Sequence, residues 1–136
     1  MADAWKPLYA MVWLASLQFV VIIIPRFTPR LVDVHALLGF IILGLAHYNN
    51  VLLKKTEAPN RLKRIVKVTA ILATVQPLLG IILFANLRLG LGFPLVEVVA
   101  FIHLVIALAI ITQASSVATA YDMWTEHEFA TPVKAA

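Results

Sequence analysis

The fold of this chain is decided by one stretch, residues 65–87, which reads IVKVTAILATVQPLLGIILFANL. It contains a single charged side chain, Lys67, near its start. At the α-helical rise of about 1.5 Å per residue, a helix of this length is about 34 Å long. The hydrocarbon core of a bilayer is about 30 Å thick, so the stretch predicts a transmembrane helix.

Three further runs have the same character. They cover residues 8–24, 34–53 and 95–120, and each is predominantly apolar. Backbone groups in lipid need hydrogen-bond partners within their own segment, so all four runs are expected to be helical. The connections are short, and one of them contains Gly90 and Gly92, so consecutive helices should be antiparallel. The sequence therefore predicts an all-α, integral membrane, up-down four-helix bundle that forms a single domain over residues 1–136.

Composition and charge agree with a membrane protein. Hydrophobic residues make up 62% of the chain, charged residues 13%, and the mean hydropathy is +0.92. Basic residues concentrate around the connection between the second and third runs, so this connection and both termini are predicted to be cytoplasmic in a multi-pass protein of the cell membrane. Because the charges flank apolar runs, the expected partners are lipids and not nucleic acid. The basic residues around this connection are Lys54, Lys55, Arg61, Lys63, Arg64 and Lys67.

Two histidines are the main candidates for chemistry. His35 and His103 lie near the outer ends of the second and fourth runs, at similar predicted depth. Two imidazoles on facing helices can ligate one haem iron from its two faces, so both are predicted axial ligands. Gly39 and Ala107, one helical turn away, leave room for a flat macrocycle. The alternative is that each histidine only forms a hydrogen bond across helices.

His47 and Gln76 are weaker candidates within the spans. His47 lies twelve residues after His35, about 18 Å along a helix, too far to share one haem. It is either a ligand of a second haem or a residue of the inner interface. Gln76 precedes Pro77, which should kink the third helix, and its amide either satisfies a freed carbonyl or contacts the cofactor.

Two carboxylates lie near the outer ends of the spans. Glu97 is either an interfacial residue or a proton handler beside the histidines, and it is the one candidate for a catalytic group. Asp33 is predicted to be the N-cap of the second helix.

The chain resembles one four-helix half of the heme A synthase family over residues 34–120. The resemblance rests on VHALLG at residues 34–39, VQPLLG at 75–80 and HLVIAL at 103–108. It implies that His35 and His103 are the axial pair, that haem O is oxidised to haem A, and that a homodimer of half-size chains replaces the eight-helix protein. The catalytic half of that family has a glutamate and an arginine where this chain has Val32 and Ala36, so the chain looks more like the cofactor-holding half.

Three functions are consistent with these residues. The first is a haem-binding membrane protein resembling half of heme A synthase, with or without oxidoreductase activity. The second is a b-type cytochrome or accessory subunit of a respiratory oxidase or quinol-oxidising complex. The third is a structural subunit without a cofactor. The first two require haem, of b type or as haem O or A.

Overall fold

The computed structural model describes residues 4–23 and 29–130, with backbone alone at residues 22, 23, 29 and 127–130. The described residues form four α-helices and contain no strand, which confirms the predicted all-α bundle. In chain order the helices are α1 (Trp5–Ile23), α2 (Pro29–Lys54), α3 (Asn60–Leu89) and α4 (Val96–Ala130).

The helices form a ring in which neighbours along the chain are neighbours in space. α1 packs against α2, α2 against α3, α3 against α4, and α4 against α1. The direction alternates: Gln18 contacts His35 while Asn49 contacts Pro7, so α2 runs back along α1. Side-chain contacts show in the same way that α3 runs antiparallel to α2 and that α4 runs antiparallel to α3. α2 and α4 therefore face each other across a diagonal of the bundle.

α2 begins earlier than the sequence predicted, at Pro29 instead of residue 34. Proline is favoured in the first turn of a helix because its missing N–H has no intrahelical partner there. The prediction that Asp33 caps this helix was wrong, because Asp33 lies inside α2. Its carboxylate instead accepts a 2.6 Å hydrogen bond from Arg88 of α3 in an ion pair.

α3 and α4 are also longer than predicted. α3 has 30 residues, continues through Pro77, and ends where Gly90 adopts a left-handed conformation with φ of 60°. In that conformation the Gly90 N–H donates a hydrogen bond to the Asn86 carbonyl, which caps the C-terminus of the helix. α4 has 35 residues, about 52 Å at 1.5 Å per residue, which exceeds a bilayer core. The end of the first predicted run, at residue 24, and the chain termini, residues 1–3 and 131–136, lie outside the described residues.

Three of the helices are long and apolar enough to cross a membrane. Among the described residues, these spans are Arg30–Lys54, Asn60–Leu89 and Val96–Glu126. Their outward faces carry large apolar side chains that are exposed, such as Leu37, Leu78 and Phe101, and lipid is the solvent that such surfaces require. α1, with 19 residues, packs beside them, and its own crossing stays a prediction.

The buried residues are concentrated toward one end of the bundle, here called the packed half. Two adjoining clusters, which include Leu53, Val117 and Ala46, fill it. The opposite end contains His35 and His103 and is called the histidine half. Among the described residues, only Val21 and Val32 are buried there, and no residue of α3 after residue 73 or of α4 before residue 110 is buried.

Candidate functional site

The structure brings His35 and His103 together across the diagonal of the bundle. Their ring centroids lie 6.2 Å apart, with an angle of 56° between the ring planes. His35 is six residues from the start of α2, and His103 is seven residues from the start of α4. They therefore lie about 9 and 10.5 Å along their helices, and both helices run in the same direction. This matched depth places the two imidazoles at one level.

Each histidine is held by a glutamine of the preceding helix. The Gln76 side-chain amide donates a 3.0 Å hydrogen bond to the backbone carbonyl of His103. The Gln18 amide donates a longer one, 3.3 Å, to the carbonyl of His35, and the same nitrogen lies 3.3 Å from His35 Nε2. Every helix thus contributes one polar side chain to a quartet, here called the Gln–His quartet. It comprises Gln18, His35, Gln76 and His103.

Gln18 was not among the residues predicted from sequence. It is the one glutamine of a predominantly apolar helix, whereas the predicted candidates all lie in the other three spans. The sequence does contain a pattern that could have identified Gln18. In both helix pairs, a glutamine within one helix precedes a histidine near the start of the next helix. Gln76 was a candidate because it precedes Pro77 and lies in a motif of the resembled family. The equivalent role of Gln18 is visible only in its hydrogen bonds to His35.

The quartet has an approximate two-fold arrangement that was not evident as a sequence repeat. α1 and α2 supply one glutamine–histidine unit, and α3 and α4 supply the other. In both units the glutamine amide donates to the carbonyl of the histidine residue itself. Because the helices alternate in direction, the two pairs are related by an axis along the bundle, as in membrane proteins with parallel repeats.

Two glycines lie against the quartet. A Cβ added to Gly39 would sit 3.3 Å from the Gln18 amide nitrogen, closer than most Cβ contacts in proteins. A Cβ added to Gly80 would sit 3.5 Å from His103 Cε1, an ordinary contact distance. Gly44, further along α2, has no such neighbour within 4 Å. The absence of a side chain at Gly39 therefore lets Gln18 approach α2 closely.

The quartet contains polar atoms that lack partners. The buried side-chain atoms without a hydrogen bond include Nδ1 of His35, Nδ1 of His103 and Oε1 of Gln76. Leaving such a group unsatisfied in a low-dielectric interior costs about 1–3 kcal/mol, so native structures usually supply a partner. One orphaned ring nitrogen on each histidine is what a pair of metal ligands would present.

The separation of the two rings matches that of two imidazoles on opposite sides of one metal ion. An imidazole nitrogen lies about 2.0–2.1 Å from a bound metal, which puts two ring centroids on opposite sides of one ion about 6.4 Å apart. The observed separation is 6.2 Å. Within the described residues, no group of three or more histidine, cysteine, aspartate or glutamate side chains could hold a bare metal ion. Haem needs only two axial ligands, because the porphyrin supplies the other four nitrogens.

His47 bonds to a residue outside the quartet. Its Nε2 forms a 3.0 Å hydrogen bond with the hydroxyl of Thr74, and that hydroxyl donates to the carbonyl of Ala70. When the threonine hydroxyl donates to Ala70, His47 Nε2 is the donor in this bond. The contact links α2 to α3, and ligation of a second haem by His47 stays a prediction.

The carboxylates near the histidine half are not gathered around the histidines. Glu97 is exposed in the first turn of α4, where the helix dipole favours a negative charge. Asp33 is engaged with Arg88. Val32 is buried, and Ala36 is exposed.

A second polar layer, missed in the sequence, lies in the packed half. The Asn49 amide donates to the carbonyl of Pro7 at 3.2 Å and contacts the sulfur of Met11. The Thr69 hydroxyl lies 2.8 Å from the Gln113 side-chain oxygen. These contacts join α1 to α2 and α3 to α4, so polar side chains fix the helices at two levels of the bundle.

Comparison of the chain with protein-family models, with curated proteins and with solved structures gave no match.

Proposed function

We propose that this chain is a haem-binding membrane protein in which His35 and His103 are the two axial ligands of one haem iron. The observation that carries the proposal is the 6.2 Å separation of two imidazoles on diagonally opposed helices, each with an orphaned ring nitrogen. The resemblance to half of heme A synthase assigns ligation to the same two residues. When bound, haem supplies a one-electron redox centre whose potential depends on its axial ligands and surroundings.

The remaining members of the quartet position the ligands. Gln18 and Gln76 tie the backbone of each histidine to the neighbouring helix, which fixes the two imidazoles relative to each other. Residues that orient metal ligands commonly change metal affinity 10–100-fold when they are mutated. Loss of either amide should therefore weaken haem retention without removing an axial ligand.

The surroundings of the histidines favour a haem-holding or electron-transfer role over haem oxidation. Glu97 is exposed, Asp33 is paired with Arg88, and Val32 replaces the glutamate of the catalytic half. Oxidation of the haem O methyl would need a group that handles protons near the porphyrin edge. A b-type cytochrome, or a haem-holding subunit of a respiratory complex, needs no such group.

The proposal is tested by the visible spectrum of protein expressed with a haem supply and purified in detergent. We expect the spectrum of a six-coordinate, low-spin haem for the wild type. His35→Ala and His103→Ala should each lose it, whereas His47→Ala, the matched control on α2, should keep it. A wild-type protein without a Soret band, or low-spin haem retained in both site variants, would refute the proposal and leave the structural subunit as the remaining function.

Haem extraction distinguishes the two haem-dependent functions. The protein is expressed in cells that make haem O but not haem A, and the extracted haems are separated chromatographically. Recovery of unchanged haem indicates a holding or electron-transfer role, whereas haem A identifies a synthase. Co-purification with oxidase subunits would support an accessory role, and a homodimer would agree with half-size members of the resembled family.

The proposed orientation places the histidine half toward the outside of the cell membrane. The connection between α2 and α3, at the packed end, carries the concentration of lysine and arginine described above. Such connections remain cytoplasmic in most membrane proteins. Labelling of a single cysteine introduced at Thr56 or at Gly92 with a membrane-impermeant reagent tests this: only the Gly92 position should react in intact cells.

A further inference from the structure

A groove between α1 and α4 lies at the packed end, far from the Gln–His quartet. It is lined by Trp5, Tyr9, Trp13 and Asp122, and has a volume of about 440 Å³. The three aromatic residues are spaced four apart and so lie along one face of α1. Asp122 faces them from α4. Three aromatic rings and one carboxylate thus surround an open space on the flank of the bundle.

The carboxylate of Asp122 adds a negative charge to the groove. Asp122 is half-buried, and its carboxylate accepts a 3.4 Å hydrogen bond from the Tyr9 hydroxyl. That distance makes the bond weak. A partly buried carboxylate beside apolar surface is costly unless a positive charge pairs with it. The groove therefore favours a cationic ligand.

The aromatic rings favour the same kind of ligand. The faces of tryptophan and tyrosine attract cations, and aromatic cages recognise organic ammonium groups in this way. One ring of the groove already has such a contact, because Lys6 Nζ lies 5.7 Å from the centroid of the Trp5 ring. A carboxylate set among aromatic faces is suited to an ammonium group.

The surface that continues from the groove indicates that this ammonium belongs to a lipid. Trp13, Leu17 and Val20 follow along the same side of α1, and their side chains are 73%, 50% and 53% exposed. They form an apolar track leading from the groove toward the middle of the bundle. An acyl chain could lie along this track while the headgroup remains at the groove, an arrangement that a small soluble amine or a basic peptide would not use.

We propose that this groove binds the ammonium headgroup of a zwitterionic phospholipid such as phosphatidylethanolamine. The ammonium lies among the aromatic rings against Asp122, and an acyl chain follows the apolar track of α1. This site is independent of haem, since none of its residues belongs to the Gln–His quartet.

The test is native mass spectrometry of the detergent-purified protein mixed with equal amounts of phosphatidylethanolamine and phosphatidylglycerol. The wild type should retain phosphatidylethanolamine preferentially. Asp122→Asn should lower that retention about tenfold, the scale expected for one charge-assisted contact. Glu126→Gln is the matched control, because it removes the same charge from an exposed residue one turn further along α4 and should leave retention unchanged.

Trp13→Leu provides a second variant that does not threaten folding, because Trp13 is largely exposed. It keeps an apolar side chain but removes an aromatic face, so retention of phosphatidylethanolamine should again fall. Equal retention of the two lipids by the wild type would overturn the proposal. So would equal phosphatidylethanolamine retention in Asp122→Asn and Glu126→Gln, provided that both variants keep the wild-type circular dichroism.

Discussion

Replacing Gly39 by alanine tests whether Gln18 is held against α2 as the structure describes. Alanine in a helix interior is favoured over glycine by about 0.5–1 kcal/mol. At Gly44 on the same helix, a Cβ meets no neighbour within 4 Å, so Gly44→Ala should gain this full amount. At Gly39, the new Cβ lies 3.3 Å from the amide nitrogen of Gln18 and pushes that amide away.

The cost of moving Gln18 sets the expected difference between the two variants. The amide would lose its 3.3 Å hydrogen bond to the carbonyl of His35, which contributes about 0.5–1.5 kcal/mol. This offsets the gain from alanine, so the net stability change for Gly39→Ala should be near zero. The two variants should therefore differ by about 1 kcal/mol, although both make the same chemical change on one helix.

Two measurements check this prediction. Unfolding of the detergent-solubilised protein by sodium dodecyl sulfate, followed by circular dichroism, compares the free energies of unfolding. Haem titration compares affinities, and if His35 is an axial ligand, Gly39→Ala should weaken haem binding about fivefold, the equivalent of 1 kcal/mol. The reasoning is wrong if Gly39→Ala is stabilised as much as Gly44→Ala and binds haem like the wild type.

Three further changes address the rest of the bundle. Asp33→Asn removes an ion pair with Arg88 in which both side chains are more than one-third exposed; it should cost at most about 1 kcal/mol of unfolding free energy. Salt should abolish this difference in unfolding free energy between the wild type and the variant. Repeating the denaturation in 1 M sodium chloride tests that expectation. Thr69→Val leaves the Gln113 side chain without its 2.8 Å partner and should cost about 0.6–1.7 kcal/mol in the same denaturation assay. Leu53→Ala truncates a side chain with 0% exposure and should cost about 2–5 kcal/mol, measured in the same way; an unchanged midpoint would contradict the packing described.

The helical architecture was predictable from sequence because lipid leaves few alternatives. An apolar run long enough to cross a bilayer must satisfy its own backbone, so the runs around Leu37, Leu78 and Phe101 had to be helices. The helix ends were less predictable. Asp33 was expected to cap α2, because the sequence could not show that Arg88, 55 residues later, would pair with it inside the helix.

In the candidate site, too, contacts between residues that are distant in sequence could not be predicted. His35 and His103 could be placed at one depth by counting residues, and the structure brings their rings together. The role of Gln18 could not be obtained in this way, because it depends on the rotation of α1 about its own axis. That rotation is set by packing against α2 and α4, and no local pattern in α1 reports it. The tertiary partner of His47, Thr74, was hidden for the same reason.

The uneven packing of the bundle has a consequence for how a large, flat molecule could reach its interior. Local stability follows the density of buried contacts, so the end containing Leu53 and Val117 should exchange its amide hydrogens slowly and the opposite end quickly. If the quartet binds haem as proposed, the helix ends around His35 and His103 would separate sideways into the bilayer while the other end keeps the four helices in register. Loading and release at the quartet would proceed by this partial opening, with no need to dismantle the whole fold.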